Sequence, residues 1–270
     1  MTPEFTPFHR GGSGPPLVLI HGFTDTWRTW ELVIPHLERN FDVLAITMPG
    51  HAGGPPIPGE VTTESLPDGI ALAMDEAGFA QAHLAGNSLG GFVALTLASR
   101  GRARSVTGLA PAGGWSAEFQ EQFALDYFIT QQEMVRKAAP FADQIAATPE
   151  GRRQATRFIV EDDSLITPSM VVHQLVGAAN CAAALPMVAA ARREGFTLDA
   201  ARIGCPVRFV WGKADKLLRW PDTSVRFREE WFPRAEFVEL EGVGHCPQLE
   251  VPAEVGELIE GTARLGFSYG

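Results

Sequence analysis

The sequence is poor in cysteine and in positive charge, and it has no long uninterrupted apolar run. Its three cysteines, Cys181, Cys205 and Cys246, are odd in number and lack C-x-x-C spacing. Neither a disulfide framework nor a zinc site is indicated, and they read as small core residues. Lys and Arg total 22 against 32 Asp and Glu, a formal net charge of −10. That balance opposes docking on a phosphate backbone, so no nucleic-acid partner is expected. The nearest approach to a basic cluster, Arg192 and Arg193 with Arg202 beyond, reads as a solvated helix face. No window approaches the roughly 18 apolar residues of a spanning helix. The opening MTPEFTPFHRGGSG has no basic stretch leading into an apolar run, so no membrane association and a cytoplasmic location are expected. H-E-x-x-H, G-x-x-x-x-G-K-[ST] and G-x-G-x-x-G are also missing, so no metal and no other cofactor is expected.

What is present is ordinary globular composition, 45% hydrophobic and 20% charged in 270 residues, enough chain to bury a full core. Short apolar runs alternate with longer helix-like segments: LVLI (17–20), DVLAIT (42–47), AHLAG (82–86), SVTGLA (105–110), VRFVW (207–211) and AEFVEL (235–240). Runs without strict polar alternation fit strands covered on both faces, and the rhythm predicts an α/β fold with a mostly parallel central sheet flanked by helices. Each run ends in a polar or glycine-rich loop. In open α/β sheets such loops share one rim, where ligands bind.

The rhythm breaks between Trp115 and Ala191, where helical patterns dominate. The chain therefore divides into a core, residues 1–114 and 192–270, and a helical cap inserted at 115–191. Phe119, Phe123 and Tyr127 fall four apart on one helical stripe. That stripe either packs the cap onto the core or, with Trp115, lines a substrate pocket. Trp27 and Trp30, after the HGF segment, read as anchors.

The stretch LAGNSLGG (84–91) carries the chemistry. Gly86, Ser88 and Gly90 form G-x-S-x-G directly after a strand and directly before FVALTLAS, fit for a buried helix. That is the context of a serine held on a sharp strand-to-helix turn. Such pentads also arise by chance, so weight rests on partners: a hydroxyl is a poor nucleophile without a base, and the base needs an orienting acid. His245, in EGVGH after the last strand, is the best base among the seven histidines; His21 ends a strand, but the Gly22 and Phe23 that follow suggest a backbone role for that loop. Asp215, in WGKADKLL after VRFVW, is the best acid, because the loop after the preceding strand, PAGGW, holds no carboxylate.

With this order of serine, acid and histidine, the chain resembles an α/β-hydrolase-fold serine hydrolase, esterase-like and with a helical cap. HGF (21–23) resembles the family's oxyanion loop. The resemblance runs from about Pro15 to Ala263. It implies Ser88 as nucleophile, His245 as general base and then acid, and Asp215 as the residue that fixes the tautomer, with the backbone NH groups of Phe23 and Leu89 as oxyanion hole. The chain departs from the family at two places. Met48 stands before PGHAGG where an acidic residue is frequent, and the arm before LVLIHG is short for the family's opening hairpin, so a strand is missing or abbreviated.

Haloalkane dehalogenases and epoxide hydrolases of this fold attack with aspartate, which Ser88 disfavours. Serine implies acyl transfer to water from a carboxylic ester, thioester or lactone of a small, partly apolar molecule. Two alternatives stand beside it: carbon-carbon bond hydrolysis of vinylogous diketones, because GNSLGG resembles the elbow of those enzymes, and a ligand-binding receptor on the same fold. The expected partner is a small-molecule substrate, with a homo-oligomer left open.

Overall fold

The computed structural model describes residues 3–116 and 121–267. Seven strands form one sheet: β1 (Phe8–Gly12), β2 (Pro16–Ile20), β3 (Asp42–Ile46), β4 (Ala82–Asn87), β5 (Ala103–Leu109), β6 (Val207–Gly212) and β7 (Glu236–Leu240). Their spatial order is β1-β3-β2-β4-β5-β6-β7, with β1 antiparallel to β3 and the other pairings parallel. Six strands coincide, within a residue or two, with the apolar runs. The seventh, β1, is the abbreviated opening: a single edge strand beside β3 takes the place of a hairpin onto β2.

The unbroken apolar runs are explained by the sheet's two covered faces. Along β2, Val18 and Ile20 join one core while Leu17 and Leu19 join the other. In β3, Leu44 and Ile46 likewise oppose Val43 and Ala45, as a two-residue side-chain period requires. The first face is covered by α2 (Ser65–Glu76) and α3 (Leu89–Ser99), and the second by α1 (Ile34–Leu37) and α10 (Pro252–Phe267). Leu66, Ile70 and Met74 of α2 recur every four residues on its buried stripe, as do Val255, Ile259 and Ala263 of α10, the pattern of a helix apolar on one side. Helix α3 is apolar almost all round because nearly every residue in it is buried.

Between β5 and β6 the described residues hold helices α4 (Glu121–Ala138), α5 (Ala142–Ala146), α6 (Pro149–Thr156), α7 (Pro168–Ala179) and α8 (Ala184–Glu194). Thr148 and Thr167 cap α6 and α7 by accepting from backbone amides, each followed by proline at the first helical position, a strong start signal. Helix α8 continues past residue 191 to Glu194, where Gly195 at φ 70° ends it. The segment has a small core of its own, Ala142, Ala146, Val160, Ile166, Val171 and Leu175. This core is continuous with Cys246 and Leu249 of the α9 (Pro247–Glu250) region. Among the described residues no single helix is long and apolar enough to cross a membrane.

Strand order reverses at β2: β3 lies on one side of it and β4 on the other. The loops leaving β2 and β4 in opposite directions open a crevice at the strand ends. Those loops carry Gly22-Phe23 and Ser88.

Candidate active site

Ser88 sits between β4 and α3 with φ 54° and ψ −120°, a backbone conformation that L-residues rarely adopt. Neighbouring chain holds it there. The Ser88 amide donates to Leu109 O at 2.8 Å, and its carbonyl accepts from Gly91, Phe92 and Ala112 at 3.0, 3.2 and 3.0 Å. The two flanking glycines make the turn sterically feasible. A Cβ on Gly86 would lie 2.2 Å from Gly90 O, and one on Gly90 would lie 2.3 Å from both Ile20 O and His21 O.

Asp215 and His245 leave the ends of β6 and β7 and meet. His245 Nδ1 donates to Asp215 Oδ2 at 2.7 Å, with both residues buried. The other carboxylate oxygen accepts from the amides of Leu217 and Leu218, each at 2.8 Å, so the acid is fixed from both ends. The two loops touch through main chain: Ala214 N donates to Val243 O at 2.9 Å, and a Cβ on Gly212 would lie 2.2 Å from Val243 O and Gly244 O. With Nδ1–H committed to the carboxylate, Nε2 is the ring's free acceptor. Ser88 and His245 line one cavity. Among the described residues the Ser88 hydroxyl makes no hydrogen bond to the ring; such contacts frequently tighten only with substrate bound.

The oxyanion-loop expectation meets a specific arrangement. His21 is buried; its Nδ1–H donates to Gly22 O at 2.7 Å and its Nε2 accepts from Met48 N at 2.9 Å. Burial, with His51 beside it, holds His21 well below the ordinary imidazole range, so the ring is neutral and one tautomer satisfies both bonds. This pins the β2 and β3 loops together without an acidic residue at position 48. Beyond it, the Phe23 amide makes no hydrogen bond among the described residues, and the Leu89 amide opens α3 ahead of its first internal bond.

Three contributors were not visible in the sequence. Asn87 donates through Nδ2 to Leu109 O (3.2 Å) and to His245 O (3.0 Å), tying the serine turn to the histidine loop. Glu250 accepts from Gly244 N at 2.7 Å and from the amides of Glu161 and Asp162 at 3.1 and 2.9 Å, tying the same loop to the helical segment. Burial pushes its carboxyl up. Asp25, two residues past Phe23, lines the cavity that holds Ser88 and His245, and burial pushes its carboxyl up to about 6. Asn87 and Glu250 work through backbone groups remote in sequence, and Asp25 through a cavity whose other walls come from distant segments, so no local motif marks them.

Two chambers meet at Ser88. One, about 680 Å³ with its open mouth, is walled by Leu66, Phe92, Trp115, Met187, Val188 and Phe196. The other, about 890 Å³ with its mouth, contains His245 together with Asp25, Tyr127, Gln131, Phe158 and Gln174. Phe23 and Phe128, edge to face with centroids 5.0 Å apart, border both. Of the aromatic residues expected at a pocket, Trp115 lines the first chamber and Tyr127 the second. Phe119 and the side chain of Phe123 lie outside the described residues. Trp27 and Trp30 line neither chamber: Trp27 donates to Thr6 Oγ1 at 2.8 Å and Trp30 is wholly buried in the core. No group of three or more potential metal-ligating side chains occurs among the described residues.

The pattern that defines the Alpha/beta hydrolase family matches residues 17–258. The chain is 31% identical over 195 residues to epoxide hydrolase EphH of Mycobacterium tuberculosis, covering 72% of this chain and 91% of that one. It is 28% identical over 269 residues to the pimeloyl-[acyl-carrier protein] methyl ester esterase of Aeromonas hydrophila, covering 93% and 96%. Among solved structures, the 2-hydroxy-6-oxo-6-phenylhexa-2,4-dienoate hydrolase of Rhodococcus sp. strain RHA1 superimposes with TM-score 0.75 at 20% identity, covering 96% and 97%. At that identity the likeness is one of fold.

Proposed function

The chain belongs to the alpha/beta hydrolase family, and from that premise we propose a serine hydrolase that cleaves a carboxylic ester, thioester or lactone of a small, partly apolar substrate through an acyl-enzyme. The observation that carries this reading is the Asp215–His245 hydrogen bond in the cavity that also holds a serine on a strained turn. His245 Nε2 takes the Ser88 proton as Oγ attacks the carbonyl carbon. The amides of Phe23 and Leu89 stabilise the oxyanion, Asp215 steadies the imidazolium, and His245 then returns the proton to the departing oxygen or sulfur. Water repeats the sequence to release the acid. The helices between β5 and β6 act as a cap over the two chambers, and the apolar chamber receives the acyl group.

Its relatives include proteins named for epoxides and one named for an ester. Attack by serine on an epoxide would leave an alkyl ether, which lacks a carbonyl for water to attack, so Ser88 favours the ester chemistry. The carbon-carbon alternative meets an electrostatic obstacle. A dienoate substrate carries a carboxylate, whereas the chamber beside His245 is lined, among the described residues, by the carboxylate of Asp25 and by no Lys or Arg. A series of p-nitrophenyl esters from acetate to octanoate tests the reading. Turnover is expected to rise with chain length until the apolar chamber is filled, and to fall by about 10⁴-fold or more in Ser88→Ala. Tight retention of an ester without turnover would favour a receptor instead.

A further inference from the structure

We infer that Asp25 makes the chamber beside His245 a subsite for a positively charged leaving group, so that the substrate is an apolar acyl ester of an amino or ammonium alcohol. This rests on the serine-hydrolase reading and extends it to the half of the substrate that departs.

Proton transfer decides which chamber holds which half. When the bond from the carbonyl carbon to the departing oxygen breaks, the proton taken from Ser88 must pass from His245 Nε2 to that oxygen. The leaving group therefore lies on the side of His245. His245 lines the second chamber and is missing from the walls of the first. The acyl chain is left to the apolar walls of Leu66, Phe92, Trp115 and Met187.

The walls of the second chamber have the chemistry of a cation site. Asp25 supplies the formal negative charge and makes no ion pair among the described residues. Its carboxylate accepts from the Thr26 amide at 2.8 Å and from the Thr29 hydroxyl, both uncharged donors. The nearby charges are already matched elsewhere. Arg28 is paired with Glu31 at 2.7 Å, and Lys216 with Glu161. Asp215 is held by His245, and Glu250 by three backbone amides. Arg157 stacks on Phe158 at 4.7 Å from the ring centre and does not itself line the chamber. The remaining walls include Phe23, Tyr127, Phe128 and Phe158, aromatic surfaces that attract a cation through their negative faces. Tyr127 is pushed up to about 12 and the Cys246 thiol well above its ordinary value, both by burial, so neither adds charge near neutral pH. An unpaired carboxylate in a desolvated wall is costly; a bound ammonium group would offset that cost. The chain's net charge of −10 also draws cations toward it.

The test uses a pair of molecules of the same shape that differ in charge: choline and 3,3-dimethylbutan-1-ol, with their butyrate esters. Calorimetry of the two alcohols and kcat/KM for the two esters are measured on the wild type, Asp25→Asn and Asp25→Glu. Asn keeps an oxygen for the Thr26 amide, and equal melting temperatures check that the turn is intact. The wild type is expected to favour the cation by about tenfold or more in both assays, a preference within reach of a half-buried charge and aromatic faces. Asp25→Asn should reduce that preference to about twofold or less, while Asp25→Glu retains part of it. Equal affinity for the two alcohols in the wild type, or a preference unchanged in Asp25→Asn, would overturn the proposal. Cation-selective binding that depends on Asp25, found together with a Ser88 that no ester acylates, would sustain the subsite and reject only the hydrolase reading.

Discussion

Asn87 joins the two halves of the site at a single residue, because its amide donates to the carbonyl of His245 across 158 positions of sequence. Truncation to Ala would leave the buried His245 and Leu109 carbonyls without this donor, and an unsatisfied buried polar group costs about 1–3 kcal/mol. Asn87→Ala is therefore expected to lower the melting temperature measurably. It should also reduce kcat by about tenfold or more while changing KM little, because a displaced imidazole affects the transition state rather than binding. Steady-state kinetics on a p-nitrophenyl ester separate this from a merely structural role, in which stability falls and kcat does not. At this scale, Ser88, Asp215 and His245 were legible because each lies in a loop directly after a strand, and the fold predicts the order of such loops. Asn87, Glu250 and Asp25 were not, because their partners are backbone groups or cavity walls contributed by distant loops.

Among the elements, the turn from β4 to α3 has the least tolerance. Gly90 meets the carbonyls of Ile20 and His21 at distances no Cβ can accept. Gly90→Ala is expected to push β2 from β4 and to yield insoluble protein or a melting temperature lowered by about 10 °C or more, well beyond a helix-interior Gly→Ala change. A soluble variant with unchanged melting temperature would show that the backbones do not approach this closely. Glu250 predicts a second effect at this scale: Glu250→Ala frees the His245 loop from the helical segment, so amide hydrogen exchange should rise at 243–246 and at 160–162 together. Protection lost on one side alone would contradict that coupling. The parallel strands were legible because both of their faces are apolar. Strand β1, FHRGG, escaped detection because it is an edge strand with exposed Phe8 and Arg10 and two glycines; its identity comes from pairing with β3, a tertiary property.

The whole molecule carries a pH dependence that no single element explains. His51, His83 and His173 are lowered to about 4, and His21 is also held well below the ordinary imidazole range, mainly by burial. The unfolded chain protonates these rings below their ordinary 6.5, whereas the folded chain does not, so stability is full above about pH 7 and is lost as pH falls toward 4. Asp25, raised to about 6, and Glu250, also raised, act in the opposite sense, because the folded chain takes up their protons first. Four depressed histidines outweigh two raised carboxyls. The melting temperature is expected to drop by about 5 °C or more between pH 7.5 and pH 5, and a flat profile in calorimetric scans would contradict it. The sequence located these histidines but not their burial, which depends on how the two sheet faces and the helical segment close over them.

Under the proposed function Ser88 is an activated nucleophile and His245 the base that activates it. Intact-mass analysis after treatment with an alkyl fluorophosphonate tests this without knowledge of the substrate, because the adduct forms only on a serine whose proton is removed as it attacks. One added phosphonyl group is expected on the wild type, mapped to Ser88, and none on Ser88→Ala or His245→Ala. Equal labelling of the wild type and Ser88→Ala, or an unlabelled wild type that is folded, would contradict it.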